Sequence, residues 1–452
     1  MSGREQSLLF DPAPSSWRGL MAAWPIDAEA ARFREQLGLG PDRPIVMSGH
    51  QAGVWHPGIV AKWFACVAAG RALGAQPVWL VVDQDENDPA EIAYPVRTGA
   101  GVLERRVWRL GEPIEGVCNA MRGPIAPAVV PTPGDGSFAS GAVGVGLEQV
   151  FEAVRGRVKE ETLARQFAFA AADLLAGLCD APTLVFATAI GRTDAFSRTL
   201  ASMRTEAAAC VRAYNAATET HRDAGVRPMR IDEAGGSIEL PAWDLTRSIR
   251  RPVFAGDGGL TGEPAPRALL MTALVRSFGC ELFIHGSGGG TENSGYDRVT
   301  DDWWSAWRGR PPRAPTVMAT AIRTLDLGGG AIPTPAEIER ARSHAHRARH
   351  DPAIVGDEEA ARAKRALLAK VAAIKQRGED PGPVFREMQE LLRAYRQRRA
   401  EDLSQLEAEA ERLRARVDEA VIAHDRTWAF ALYPDAALKS LRDEVFAAFG
   451  ER

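Results

Sequence analysis

Ile45-Val46-Met47-Ser48-Gly49-His50-Gln51-Ala52-Gly53-Val54-Trp55-His56-Pro57-Gly58-Ile59-Val60-Ala61-Lys62 decides the fold of this 452-residue chain. An apolar run stops at Ser48-Gly49. A loop containing Gly53 follows, bracketed by His50 and His56, and Pro57-Gly58 then opens an amphipathic segment to about Leu73. Proline suits the first helical position, where its missing N–H is harmless. The stretch therefore predicts strand, glycine-containing loop and helix N-terminus. Such a terminus presents unpaired N–H groups and the positive end of the helix dipole to an anion. Gly49, Gln51, Gly53, Gly58 and Lys62 belong to the same mouth, which reads as a phosphate- or carboxylate-binding loop. Neither the P-loop nor the dinucleotide spacing is present.

Val78-Trp79-Leu80-Val81-Val82 predicts a second buried strand, ending in the acidic run Asp83-Gln84-Asp85-Glu86-Asn87-Asp88. Strand, helix and strand in about forty residues make a right-handed βαβ unit. Ligands of open parallel sheets sit at the carboxyl ends of the strands, where the His50–His56 loop and the acidic run both fall.

Further along, Glu112 to Val143 is rich in Gly, Pro and Ala and reads as a long loop over the site or an insertion. Thr183 to Thr188 predicts a strand, and Thr193 or Asp194 caps a helix running through Ala216. Ser237 to Trp243 and Arg250 to Phe254 read as β segments, and Pro266 as the first residue of another helix. Glu281 to His285 is a strand leading into Gly286-Ser287-Gly288-Gly289-Gly290. That flexible backbone can approach a ligand closely and forms the second wall of the cleft. Asp297 is a candidate acid, or simply a helix-start carboxylate.

From Pro335 the composition shifts to Ala, Arg, Glu and Leu. Helices are expected over about 335–349, 357–377 and 384–425. Leu403, Leu406, Ala410, Leu413, Val417 and Ala420 recur at coiled-coil spacing, as in an antiparallel hairpin. Residues 428–452 carry enough apolar surface to dock back on the body.

A net charge of −4 gives no case for nucleic-acid binding. The five cysteines form no CxxC pair, which fits a reducing compartment rather than a disulfide framework or zinc cage. No apolar run approaches the roughly 20 residues a membrane helix needs, and the first residues lack a signal-peptide layout. A cytoplasmic protein that binds no membrane is the expectation. No metal centre is expected, although His50, His56, Asp83 and His285 form a set able to converge on one.

The loop Ser48-Gly49-His50-Gln51-Ala52-Gly53-Val54-Trp55-His56-Pro57-Gly58 with Lys62 resembles the Gly-Gln-Gln-x-Gly loop of the cysteine-ligase family of bacillithiol biosynthesis (BshC). Pro77 to Asp85 and the glycine loop after His285 are similar to that family as well. His50 stands where the family has its first loop Gln, and the acidic run here lacks the family's His. The resemblance implies a Rossmann-like parallel-sheet core of the class I nucleotidyl-transferase kind over residues 1–333, with the insertion near 112–143. A coiled-coil hairpin over 334–427, mediating a homodimer, and a tail over 428–452 complete it. It also implies a ligase joining cysteine, or another amino acid, to an amino-sugar conjugate. His50 and His56 would hold anionic oxygens, Asp83 or Asp85 the substrate ammonium, and His285 with Gly288, Gly289, Gly290 and Asp297 the acceptor. ATP or ADP, with Mg²⁺ if nucleotide is used, is the implied cofactor. Two alternatives stay open: nucleotidyl transfer to a small metabolite, with ATP and Mg²⁺ near Asp83 and Asp85, and a non-catalytic nucleotide-binding or coiled-coil scaffold protein.

Overall fold

The computed structural model describes residues 7–23, 25–232, 237–287, 295–327 and 332–450. Its centre is a six-stranded sheet of β1 (Ser7–Asp11), β2 (Ile45–Gln51), β3 (Gln76–Val82), β4 (Thr183–Phe186), β5 (Leu282–His285) and β6 (Thr316–Ile322). The order across the sheet is β1-β6-β5-β2-β3-β4. All neighbours are parallel except β1, which runs antiparallel to β6. The expected α/β class with a parallel sheet is what the chain adopts.

The register explains the composition of the strands. Ile45, Val46, Met47, Val78, Trp79, Leu80 and Val81 are all buried, as strands covered on both faces require. From β2 the chain builds outward through β3 to β4, then returns to lay β5 against the other side of β2. The strand order thus reverses between β2 and β5, and the C-terminal ends of those two strands flank the crevice where open α/β sheets bind ligands. Ile284 pairs with Ser48, so His285 stands level with Gly49 across that crevice.

The helix after β2, α1 (Pro57–Leu73), departs from the amphipathic expectation. It is buried on nearly every side, from Pro57 through Gly70 apart from Ile59. It lies on β2, β3 and β6 and is covered by the helix Asp435–Ala448. A helix apolar all round belongs inside a core, and the consequence is that Lys62 has no exposed face to occupy.

Other boundaries shift. Pro266 closes a short strand, Glu263–Pro266, and the helix starts at Ala268 with Arg267 as its N-cap. The helix capped by Thr193 ends at Thr205, and a second, Ala207–Thr220, follows Glu206.

Contacts divide the chain into two units. Asp326–Asp425 and Arg97–Glu104 form one; Arg105–Leu325, the described residues before Arg97 and those after Asp425 form the other. In the first, Pro335–Ala348 packs on Ala400–Arg414, and Glu358–Gln376 on Gly382–Arg398. The Tyr395 hydroxyl donates to Ala348 O at 2.6 Å, beside buried Leu367, Leu392 and Leu403. The expected long helix over 384–425 is broken at Arg399 and again after Arg414, giving Gly382–Arg398, Ala400–Arg414 and Val417–Ala423. Val417, expected inside the apolar stripe, is 38% exposed.

Candidate functional site

The site grows from the end of β2. Gly49 is required there, because a Cβ would sit 2.3 Å from Leu80 O on the neighbouring strand. Gly53 holds a φ of +152°, which only glycine adopts freely. His56 is the N-cap of α1: its Nδ1 accepts the Gly58 N–H at 3.0 Å, which assigns its proton to Nε2. Gly58 must lack a Cβ, since one would meet His56 Cε1 at 2.7 Å and Ala321 O at 2.9 Å. The N–H groups of Ile59 and Val60 bond to His56 O, so the first turn of α1 satisfies itself. The anticipated open nest of N–H donors is absent here, and the charge at the mouth comes from side chains.

Lys62 supplies it. Only 4% exposed, its ammonium donates to Gly49 O at 2.8 Å and lies 5.6 Å from the Trp79 ring centroid. The end of β5 runs along its stem, since a Cβ on Gly286 would lie 3.6 Å from Lys62 Cδ. Among the described residues no carboxylate lies within ion-pair distance of it. Burial accordingly pulls the amine down to about 7. Beneath it Trp55, Trp63 and Trp79 pack with centroids 5.0 to 5.7 Å apart.

His50 is held neutral. Burial first, then the nearby charges of Lys62 and His56, bring its imidazole down to about 3. Its Nδ1 is buried without a hydrogen-bond partner among the described residues. The structure therefore brings His50, His56 and Lys62 into one electrostatic neighbourhood.

On the facing strand, His285 Nδ1 meets Asp297 Oδ2 at 2.6 Å. A carboxylate there fixes the tautomer with its proton on Nδ1, leaving Nε2 as the acceptor. Phe283 and Tyr296 pack edge-on against the ring at 4.7 and 5.8 Å. Asp297 sits in the first turn of α2 (Gly295–Arg308), 6% exposed; its Oδ1 lies 4.0 Å from Arg276 Nη1 and has no hydrogen-bond partner among the described residues. Gly288, Gly289 and Gly290, expected as the acceptor wall, lie outside the described residues.

The acidic run behaves differently. Asp83 accepts from the Thr188 N–H at 2.8 Å and the Thr188 hydroxyl at 2.5 Å, joining β3 to the turn after β4. Burial raises its carboxyl to about 6. Asp85 accepts from Gln51 Nε2 at 3.1 Å, from Arg250 Nη1 at 3.2 Å and from the Glu86 N–H at 2.9 Å. Both carboxylates, expected to meet the substrate ammonium or take its proton, are engaged by protein donors. The insertion does reach this edge: Ala120 N bonds Asp83 O at 2.8 Å and Asn119 N bonds Asp85 O at 3.0 Å. Among the described residues no group of three or more His, Cys, Asp or Glu is placed to hold a metal ion, so His50, His56, Asp83 and His285 do not converge as one.

Sequence reasoning missed Arg250, Arg267, Trp243 and Glu239. They line a cavity of about 610 Å³ beside Asp85 and Tyr296, at the same edge of the sheet. Arg267 and Arg250 place their guanidinium carbons 3.7 and 4.3 Å from the Trp243 ring centroid. The only signal in the sequence was a pair of β segments carrying arginine and tryptophan.

No protein-family model matches this chain, and no curated protein matches it. Among the described residues no helix is long and apolar enough to cross a membrane.

Proposed function

We propose that this chain is a ligase-like enzyme of the BshC kind, joining cysteine or another amino acid to an amino-sugar conjugate on a Rossmann-like core. The observation that carries the reading is Lys62: a buried ammonium with no carboxylate within ion-pair distance among the described residues, at the crevice where the strand order reverses. A buried charge of that kind is costly until an anion joins it. A substrate carboxylate or phosphate is the partner that chemistry asks for.

The other groups fit an amide-forming step. The free amine attacks an activated carboxyl carbon, the C–N bond forms, and the amine proton passes to His285 Nε2. Asp297 orients that imidazole and stabilises its charged form. Neutral His50 and the Lys62 ammonium stabilise charge developing on the carboxyl oxygens. The leaving group departs with the bonding electron pair of the broken bond.

Lys62 and His50 also suit the phosphates of a nucleotide, which when bound supplies activation of the carboxyl group. Magnesium at Asp83 and Asp85 fits poorly, because Thr188, Gln51, Arg250 and the Glu86 N–H already occupy their oxygens. For that reason we place condensation ahead of nucleotidyl transfer. In the same reading the helices of the Asp326–Asp425 unit are a coiled-coil hairpin serving a homodimer.

The test incubates the purified protein with cysteine and glucosaminyl-malate, with and without ATP and Mg²⁺, and follows amide formation by mass spectrometry. Product from the wild type, lost in Lys62→Met and His285→Ala, supports the ligase. Pyrophosphate released with one substrate alone would replace it with nucleotidyl transfer. Neither product nor a ligand-induced rise in melting temperature would leave the scaffold reading.

A further inference from the structure

The cavity beside Asp85 is built from parts that serve no evident structural end. Its walls carry four arginines, Arg227, Arg230, Arg250 and Arg267, against two carboxylates, Asp85 and Glu239. Glu239 is shared, taking Arg267 Nη1 at 2.7 Å and Arg230 Nε at 3.0 Å. Arg250 divides itself between Asp85 and Glu86. Positive charge therefore exceeds negative in the lining, and two of the guanidiniums are fixed against the Trp243 indole rather than free to swing. Arg forks held this way are pre-organised for a carboxylate or phosphate.

A second observation is independent of the charge. Gln84 also lines the cavity and is 3% exposed. Its Nε2 donates to Pro266 O at 3.3 Å, which assigns the amide orientation and leaves Oε1 buried with no hydrogen-bond partner among the described residues. An orphaned acceptor in a native protein calls for an explanation. A ligand hydroxyl or amino group is the donor it lacks. The remaining wall, including Tyr214, Met229, Pro252 and Tyr296, is largely apolar and suits a carbon skeleton.

We infer that this cavity is a second ligand site, separate from Lys62, for a small organic anion that also carries a hydroxyl or amino donor. The anionic group faces the arginines and the donor bonds Gln84 Oε1. The inference does not depend on the ligase reading, because none of His50, His56 and Lys62 lines the cavity.

Two four-carbon dicarboxylates separate charge from donor: tartrate carries hydroxyls and succinate carries none. Isothermal titration of the wild type with each is expected to give tartrate binding at least tenfold tighter. Gln84→Met should bring the two probes to the same affinity. Arg230→Gln, at an exposed side chain, should weaken both several-fold without affecting the fold. Lys62→Met should leave tartrate binding unchanged. Equal binding of both probes to the wild type, or no binding of either at 10 mM (a ceiling about tenfold above millimolar affinity), would overturn the inference. So would loss of tartrate binding in Lys62→Met, which would move the anion to the other site. Far-ultraviolet circular dichroism of Gln84→Met confirms that any change is local.

Discussion

Two polar clusters share the C-terminal edge of one sheet, and they are organised in opposite ways. At the end of β3, Asp83 and Asp85 are surrounded by donors, each oxygen answered by Thr188, Gln51, Arg250 or the Glu86 N–H. At the ends of β2 and β5, no carboxylate among the described residues lies within ion-pair distance of the Lys62 ammonium, and His50 Nδ1 and Asp297 Oδ1 have no hydrogen-bond partner among them, Arg276 Nη1 standing 4.0 Å from the latter. Buried groups that are satisfied hold a fold together; buried groups left wanting mark where something else belongs. Charge density alone would have ranked the acidic run first.

The sharpest way to break the comparison is Lys62→Met. Amide formation should fall by at least 100-fold, about 3 kcal/mol, the scale of removing one partner of a buried charge pair. Yet the variant should be more stable than the wild type at pH 6, by about 2 kcal/mol, because a desolvated charge is removed. The sign follows from the amine standing at about 7 in the folded chain against 10.5 when exposed. The penalty is full below pH 7, shrinks as pH rises toward 10.5, and is gone above it. Urea melts of both proteins at pH 6 and pH 10 measure it; an unchanged difference would show that Lys62 is not buried as a charge.

Gly49→Ala should cost about 3 kcal/mol, since the new methyl collides with the Leu80 carbonyl and must spread the central strands. Thermal melting reads this directly. Asp83→Ala should cost about 2 kcal/mol by leaving the Thr188 donors unmatched. Asp83→Asn should cost under about 0.5 kcal/mol and keep activity. Its carboxyl is raised to about 6 from 3.8, so wild-type stability should decline across that interval as pH rises, and Asn should abolish the decline. An inactive but stable Asp83→Asn would return Asp83 to the catalytic set. Smallest of all, Arg250→Gln should cost about 1 kcal/mol through its partly buried pairs with Asp85 and Glu86. Faster amide exchange confined to Gln84–Asp88 would locate it.

Local pattern made β2, the glycine loop, α1, β3 and β5 readable, because strands, turns and proline at a helix start announce themselves within a few residues. The reversal of strand order was not written locally: Leu282 pairs with Val46 across more than two hundred residues. The engagement of Asp83 was not legible either, because its partner, Thr188, is 105 positions away. Lys62 was singled out as a donor at the mouth, but its burial comes with the ends of β2 and β5 lying against its side chain, which no period in α1 reveals. The arginine-lined cavity escaped notice for the same reason, being assembled from Gln84, Glu239, Arg250 and Arg267 on separate elements.

The three indoles under Lys62 give the molecule an optical consequence. Trp55, Trp63 and Trp79 lie within 5.7 Å of one another, close enough for their transitions to couple and give a paired positive and negative band in circular dichroism. A charge gained or lost 5.6 Å above Trp79 shifts one member of that trio. Occupancy of the crevice should therefore be visible as a change in band shape, with no label attached and no substrate turned over.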